Sequence, residues 1–213
     1  MMGNNPWIDT RLSEEEMNFL RNAISKENIP SNSVEKIEKK WRILKILSKT
    51  IIDKDNWFYE TVLKKLTERM LYRDWGNYYK YQVEKEVPLP KFKLREMWVN
   101  YQKQHAHNPL HNHEKTGLFS FVVFIKIPTH WKKQHELSVP ANFNIPCASD
   151  FQFLLGLEGG GTQTISIKLC PEDEGRILFF PSWLLHQVYP FYETDELRIT
   201  VAGNIDLLQR SVK

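Results

Sequence analysis

The sequence predicts a mainly β domain, a sandwich or barrel, with a helical segment packed on its outside. The apolar period is helical over residues 12–87 and changes to two from Pro88 onward. Seven candidate strands then follow at short intervals, separated by the Pro, Gly and Asp clusters that tight connections need. At 213 residues, with 41% hydrophobic and 13% aromatic content, the chain can bury a sizeable core without disulfides. No linker divides it. Residues 1–87 therefore read as a helical part of the same domain, and residues 88–213 as its β core.

The first helix starts at a capping box, Ser13 followed by Glu16, and keeps Met17, Leu20 and Ile24 on one face until Asn28-Ile29-Pro30 ends it. A second is predicted from Val34 to about Leu47, with a stripe of Val34, Ile37, Trp41 and Leu44. The lysines from Lys36 to Lys49 give it a solvated face. A third runs from about Trp57 to Leu71 through Tyr59, Val62, Leu63, Leu66 and Met70, with a glycine stop at Trp75-Gly76-Asn77. The strands are Lys91 to Lys103, Leu118 to Ile127, Phe151 to Leu155, Gln163 to Leu169, Arg176 to Phe180, Leu184 to Tyr189 and Leu197 to Ile205. Turns fall at Pro128, Pro140, Pro146, Gly159-Gly160-Gly161, Pro171 to Gly175 and Pro190 to Glu196. The triple glycine reads as a hairpin, since no Gly-Lys-Ser/Thr follows to make a phosphate loop.

A net charge of +3 is too mild and too dispersed to mark a nucleic-acid binder. The two cysteines, Cys147 and Cys170, form no CxxC and are expected as free thiols in a reducing compartment. Met1 to Thr10 lacks the pattern of a secretory signal, and no apolar run approaches the ~20 residues of a membrane span. A soluble, cytoplasmic protein is expected, with no membrane partner. Nothing repeats at a fixed period.

All seven histidines lie between residues 105 and 186. In Asn108-Pro109-Leu110-His111-Asn112-His113 two imidazoles stand at i and i+2, so on extended chain both point to the same side. His186, in Phe180-Pro181-Ser182-Trp183-Leu184-Leu185-His186, can join them from a later strand. Three such ligands leave the opposite positions of an iron(II) ion open, as in a mononuclear iron oxygenase. Glu114 is a candidate third ligand only if the strand turns there, because in regular strand it faces away. Arg198, Thr200 and Asn204 share one strand face, and a guanidinium with a hydroxyl suits the far carboxylate of a dicarboxylic 2-oxo acid. The bland alternative for Arg198 is an ion pair with Asp195 or Glu196. His105 and His107 form a second HxH, but precede the Asn-Pro turn with no strand of their own. His130 and His135 sit in a Lys-rich loop and read as surface or hydrogen-bonded groups. Trp98 and Trp183 read as core rather than substrate platform.

The segments Trp98-Val99-Asn100-Tyr101-Gln102, Asn108 to His113, Phe180 to His186 and Arg198-Ile199-Thr200, in this order, resemble the 2-oxoglutarate- and iron(II)-dependent oxygenases. The likeness covers roughly residues 91–206, and it is to the branch common in marine bacteria and their phages, distantly similar to prolyl 4-hydroxylases. It implies a double-stranded β-helix, a cupin-like jelly roll with iron at its open end. His111 matches the first histidine of the HxD/E motif, His113 its acidic position, His186 the distal histidine, and Arg198 with Thr200 the Arg-x-Ser/Thr motif. The departure is at His113, where the family carries a carboxylate. The resemblance implies Fe(II) and 2-oxoglutarate as cofactors and hydroxylation of a small-molecule or peptidyl substrate with O2, releasing succinate and CO2. For a phage-encoded chain the location would be the host cytoplasm. Two other readings remain at this point: a three-histidine cupin dioxygenase without 2-oxoglutarate, and a non-catalytic jelly-roll binding or virion module. Substrate and oligomeric state are not legible.

Overall fold

The computed structural model describes residues 5–26, 46–85, 90–137 and 146–208, with backbone only at 26, 75–79 and 81–83. The expected second helix lies outside the described residues except for its last two positions, Ile46 and Leu47, of which Leu47 instead opens a strand. Pro140 also lies outside them.

Among the described residues, ten strands form two antiparallel sheets. The larger has the order β1 (Ile8–Arg11), β8 (Arg176–Pro181), β5 (Phe119–Lys126), β10 (Arg198–Leu207), β3 (Phe92–Gln102) and β2 (Leu47–Thr50). The smaller has the order β4 (Asn108–His111), β9 (Leu185–Val188), β6 (Phe151–Gly156) and β7 (Thr162–Ile167). This is the jelly roll that the resemblance implied. The seven expected strands are all present, with ends shifted by up to two residues. Three further strands, β1, β2 and β4, escaped the sequence reading. Each has only four residues, too few for alternation to stand out, and each is held by a strand from elsewhere in the chain. Residues 12–87 are thus not purely helical.

Period two explains the layering. In β5, Phe119, Phe121, Val123 and Ile125 face the helices, while Val122 and Phe124 face the small sheet. In β8, Ile177 and Phe179 face the helices and Leu178 and Phe180 the small sheet. Both faces of the large sheet are therefore covered, and β5 reads as a continuous apolar run for that reason. The helical layer consists of α1 (Glu14–Lys26) and a π-helical turn, Tyr59–Leu63, that continues into α2 (Lys64–Glu84). The predicted capping box is present: Ser13 N–H donates to Glu16 Oε2 at 2.7 Å, and Glu16 N–H to Ser13 Oγ at 3.3 Å. Met17, Leu20, Tyr59, Val62, Leu63, Leu66 and Met70 are buried, as the stripes require. The glycine stop is not used, since α2 runs through Gly76 to Glu84. One glycine in a long helix costs only about 1 kcal/mol, which does not terminate it. Among the described residues no helix is long and apolar enough to cross a membrane.

Gly159 and Gly160 adopt φ of +90° and +89° in the β6–β7 connection, which confirms the hairpin. Gly203 is required for a different reason. A Cβ there would lie 2.5 Å from Glu96 O and 2.7 Å from the Phe121 ring, where β10 crosses the core. Gly203→Ala should lower stability by about 3 kcal/mol, the upper range for overpacking, read as a shift in urea midpoint. An unchanged midpoint would show that β3 can move away without loss.

Candidate active site

The two sheets splay to leave a cavity of about 300 Å³, lined on the large sheet by Trp98, Asn100, Gln102, Ser120, Arg198 and Thr200, and closed on the other side by His111, His113 and His186. His111 ends β4 and stands directly opposite His186 on β9 in the strand register. His113 lies two residues past β4. One ligand nitrogen from each ring falls within 4.8 Å of the others, and the ring centroids are 4.3 to 5.2 Å apart. Glu114 is exposed and outside this group.

The rings are already oriented for a metal. His111 Nδ1 is 2.7 Å from Pro109 O, and His186 Nδ1 is 2.9 Å from Leu184 O. A carbonyl only accepts, so both Nδ1 atoms carry the proton and both Nε2 atoms present a lone pair. His186 is buried among Phe151, Phe153 and Phe180, with the Phe151 ring stacked on it at 5.7 Å. This burial, helped by His111, pushes the His186 pKa down to about 3, and burial pushes His113 down to about 4. Three imidazoles converging in this way fit a divalent transition-metal ion.

A pH dependence follows for the metal-free protein. The two rings stay neutral in the folded state while the unfolded chain takes up protons near pH 6.5, so stability falls as pH drops below 6.5 and continues to fall toward pH 4 and 3. At pH 5 the loss is about 2 kcal/mol from His186 and less from the more exposed His113. Thermal melts with chelator should show this decline between pH 7 and 5, and a bound divalent ion should suppress it. A flat profile over that range would contradict the depressed values.

A polar network seats the turn that carries His113. Its N–H donates to Ser182 O at 2.7 Å, and its carbonyl accepts from Thr116 N–H and Oγ1 at 2.8 and 2.9 Å. Buried Asn204 ties this turn to the large sheet. Its Nδ2 donates to Thr116 Oγ1 at 3.0 Å and to Glu96 Oε1 at 2.9 Å, while its Oδ1 accepts from Ser120 Oγ at 2.8 Å. A fully satisfied buried network holds one geometry, which is what a metal site demands.

Arg198 is 1% exposed and points into the same cavity. Neither Asp195 nor Glu196 pairs with it: Gln104 donates to Asp195, and Lys126 pairs with Glu196. Instead Nη1 donates to Gln102 Oε1 at 3.4 Å, and Nη2 to Ser149 O at 3.0 Å and to Ser149 Oγ. Its buried Nε has no partner among the described residues. Burial with mostly neutral partners lowers its pKa to about 10, against the pull of Asp150. A cation held this way is short of an anion, and a carboxylate fits that need. Thr200 shares the face, with Asn100 Nδ2 at 3.4 Å from its hydroxyl.

Sequence reasoning missed Ser149. It is fully buried, adopts φ 73°, and holds Arg198 through two oxygens. A left-handed serine costs about 1 to 2 kcal/mol and leaves no sequence signal. The expected Lys-rich loop is instead a short helix, α3 (Trp131–Glu136). His135 Nε2 lies 2.9 Å from Asp150 Oδ1, and His130 caps α3 by accepting Lys132 N–H. His105 and His107 are exposed and stand away from the trio, although β4 begins just after His107. Their rings pack on Tyr192 and Tyr189. The core assignment fails for both tryptophans. Trp183 is 56% exposed in the β8–β9 turn, and Trp98 lines the cavity 5.8 Å from the His113 ring. Both fall where the sandwich opens, so period two could not bury them.

A family profile described as "Putative 2OG-Fe(II) oxygenase" matches residues 96–204, half of the chain, and the protein belongs to this family of enzymes. The family implies Fe(II) and 2-oxoglutarate as cofactors, with O2 and a further substrate as reactants. The fold is similar to the viral collagen prolyl hydroxylase of Paramecium Bursaria Chlorella virus-1, solved with 2OG, at 14% identity and a TM-score of 0.55, covering 97% of this chain and 98% of that one. It is also similar to a Pseudomonas putida prolyl-4-hydroxylase, at 13% identity and a TM-score of 0.51, covering 95% and 93% of the two chains. A non-heme alpha ketoglutarate dependent carbocyclase from nogalamycin biosynthesis shares 11% identity at a TM-score of 0.51, covering 95% and 79%. At such identities the likeness is one of fold. No curated protein matches the chain in sequence.

Proposed function

We propose that the protein hydroxylates a prolyl or other amino-acid side chain, with His111, His113 and His186 holding Fe(II) and Arg198 with Thr200 holding the remote carboxylate of 2-oxoglutarate. The observation that carries this is one cavity that contains both three converging imidazoles and a buried, under-partnered arginine. A three-histidine cupin whose substrate chelates the metal has no use for that arginine. The overall conversion is balanced: substrate C–H, 2-oxoglutarate and O2 become substrate C–OH, succinate and CO2. Bound iron supplies the activation of dioxygen.

The chain's own residues bind, orient and exclude water. Arg198 and Thr200 fix one end of the cosubstrate at the far wall of the cavity, and the lone pairs of His111 and His186 are preset by Pro109 O and Leu184 O. Phe151, Phe153 and Phe180 keep the His186 side dry. Leu118 O accepts Ser182 N–H and Ser182 O accepts His113 N–H, so exposed Leu118 and Trp183 lie beside the residues bonded to the His113 turn and offer an apolar surface to a peptide. Two similar folds belong to prolyl hydroxylases, which favours a peptidyl substrate.

The test is anaerobic addition of Fe(II) and 2-oxoglutarate, followed by air and prolyl peptides. A visible charge-transfer band from the chelate and peptide-stimulated succinate release are expected. No band at saturating metal would remove the reading, and a band without peptide stimulation would remove the substrate class.

A further inference from the structure

We infer that the protein carries a second metal site, built from His130, Cys170 and Glu172, that takes a borderline-soft divalent ion of the Zn(II) class. One ligand atom from each of these residues falls within 4.8 Å of the others. They come from two chain segments locked together by a backbone bond, Trp131 N–H to Leu169 O at 2.9 Å. Imidazole, thiolate and carboxylate are the three donor types that Zn(II) accepts, and a thiolate with a carboxylate balances its charge. The set is unlike the three histidines of the cavity, which offer no sulfur.

The local backbone presents the donors, with the thiol still protonated because burial and the carboxylates of Asp173 and Glu172 push it up to about 12. Cys170 opens a 3-10 turn, Pro171–Asp173, that turns Glu172 back beside it, and both Cys170 N–H and its thiol donate to Asp173 Oδ2, at 3.1 and 3.2 Å. Asp173 Oδ1 is taken by Arg176 at 3.2 Å and by Arg11 at 3.5 Å. Asp173 is thus an acceptor that orients the thiol, and water is left to complete the coordination. His130 Nδ1 accepts Lys132 N–H at 3.1 Å, so it bears a lone pair. A metal at Nδ1 replaces that bond, and a metal at Nε2 moves the ring proton to Nδ1 and breaks the same bond. Binding converts the thiol to a metal thiolate and releases one proton to solvent.

Occupation would pin the start of α3 to the 170–173 turn. α3 also holds two loops near Arg198: Gln134 exchanges two bonds with Tyr192, at 2.9 and 3.0 Å, and His135 meets Asp150 at 2.9 Å. The ion would therefore brace the wall of the cavity without entering it.

Anaerobic titration of the metal-free full chain with Co(II) tests this. Two equivalents should bind, one of them giving a near-ultraviolet thiolate-to-cobalt band. Cys170→Ser should abolish the band and leave one equivalent, Cys147→Ser should leave it intact, and His186→Ala should lose the other equivalent while keeping the band. Glu172 is exposed, so Glu172→Gln keeps the fold and should weaken the sulfur site by at least about tenfold. A wild type that binds Co(II) with no thiolate band, a band that survives in Cys170→Ser, or Glu172→Gln binding unchanged would overturn the site. None of these outcomes depends on the three-histidine site.

Discussion

Replacing His113 by alanine should weaken Fe(II) binding and lower turnover by more than about 100-fold, because loss of mere outer partners of a metal already costs 10- to 100-fold. His113→Asp should keep both metal and cosubstrate, since it restores the carboxylate that the family carries at this position. Glu114→Ala should bind iron as the wild type does, because Glu114 is exposed and outside the imidazole group. The seat of residue 113 is set by its backbone, through Ser182 O and Thr116, so either side chain is delivered to the same place. With a neutral third ligand the site holds one more unit of positive charge than with a carboxylate, which favours anionic chelators. Calorimetric Fe(II) titrations under nitrogen decide the matter. Wild-type affinity in His113→Ala together with loss in Glu114→Ala would make Glu114 the ligand.

Arg198→Met should raise the concentration of 2-oxoglutarate needed for half-maximal turnover by about 30-fold to 1,000-fold, the equivalent of roughly 2 to 4 kcal/mol for a buried hydrogen-bonded charge pair. Fe(II) affinity should stay within about twofold, since Arg198 lies on the opposite wall of the cavity from the imidazoles. Methionine nearly fills the volume but leaves buried Gln102 Oε1 and Ser149 O without their donor, so the metal-free fold should lose about 1 to 3 kcal/mol. Chelate-band titrations with metal fixed and cosubstrate varied separate the two affinities. Equal loss of both would make Arg198 a structural residue that braces Gln102 and Ser149.

The sequence by itself determined the β core, the capped first helix and the three histidines and the arginine that meet in the cavity, but not Ser149 or Trp98 beside them. A long alternating run such as β3 buries one face, and a continuous apolar run such as β5 buries both, and these patterns survive in one dimension. The HxH spacing and the shared parity of Arg198, Thr200 and Asn204 are local geometry of the same kind, so they too could be read before any fold was known. What only the tertiary structure decided depends on partners far away in the chain. The four-residue strands exist because β8, β3 and β9 offer them an edge. The depressed pKa values of His186 and His113 come mainly from burial that no local pattern encodes. The Ser149 clamp on Arg198 spans 49 residues and the Asn204 tie to Glu96 spans 108, and closure over such distances is set by how the two sheets pack.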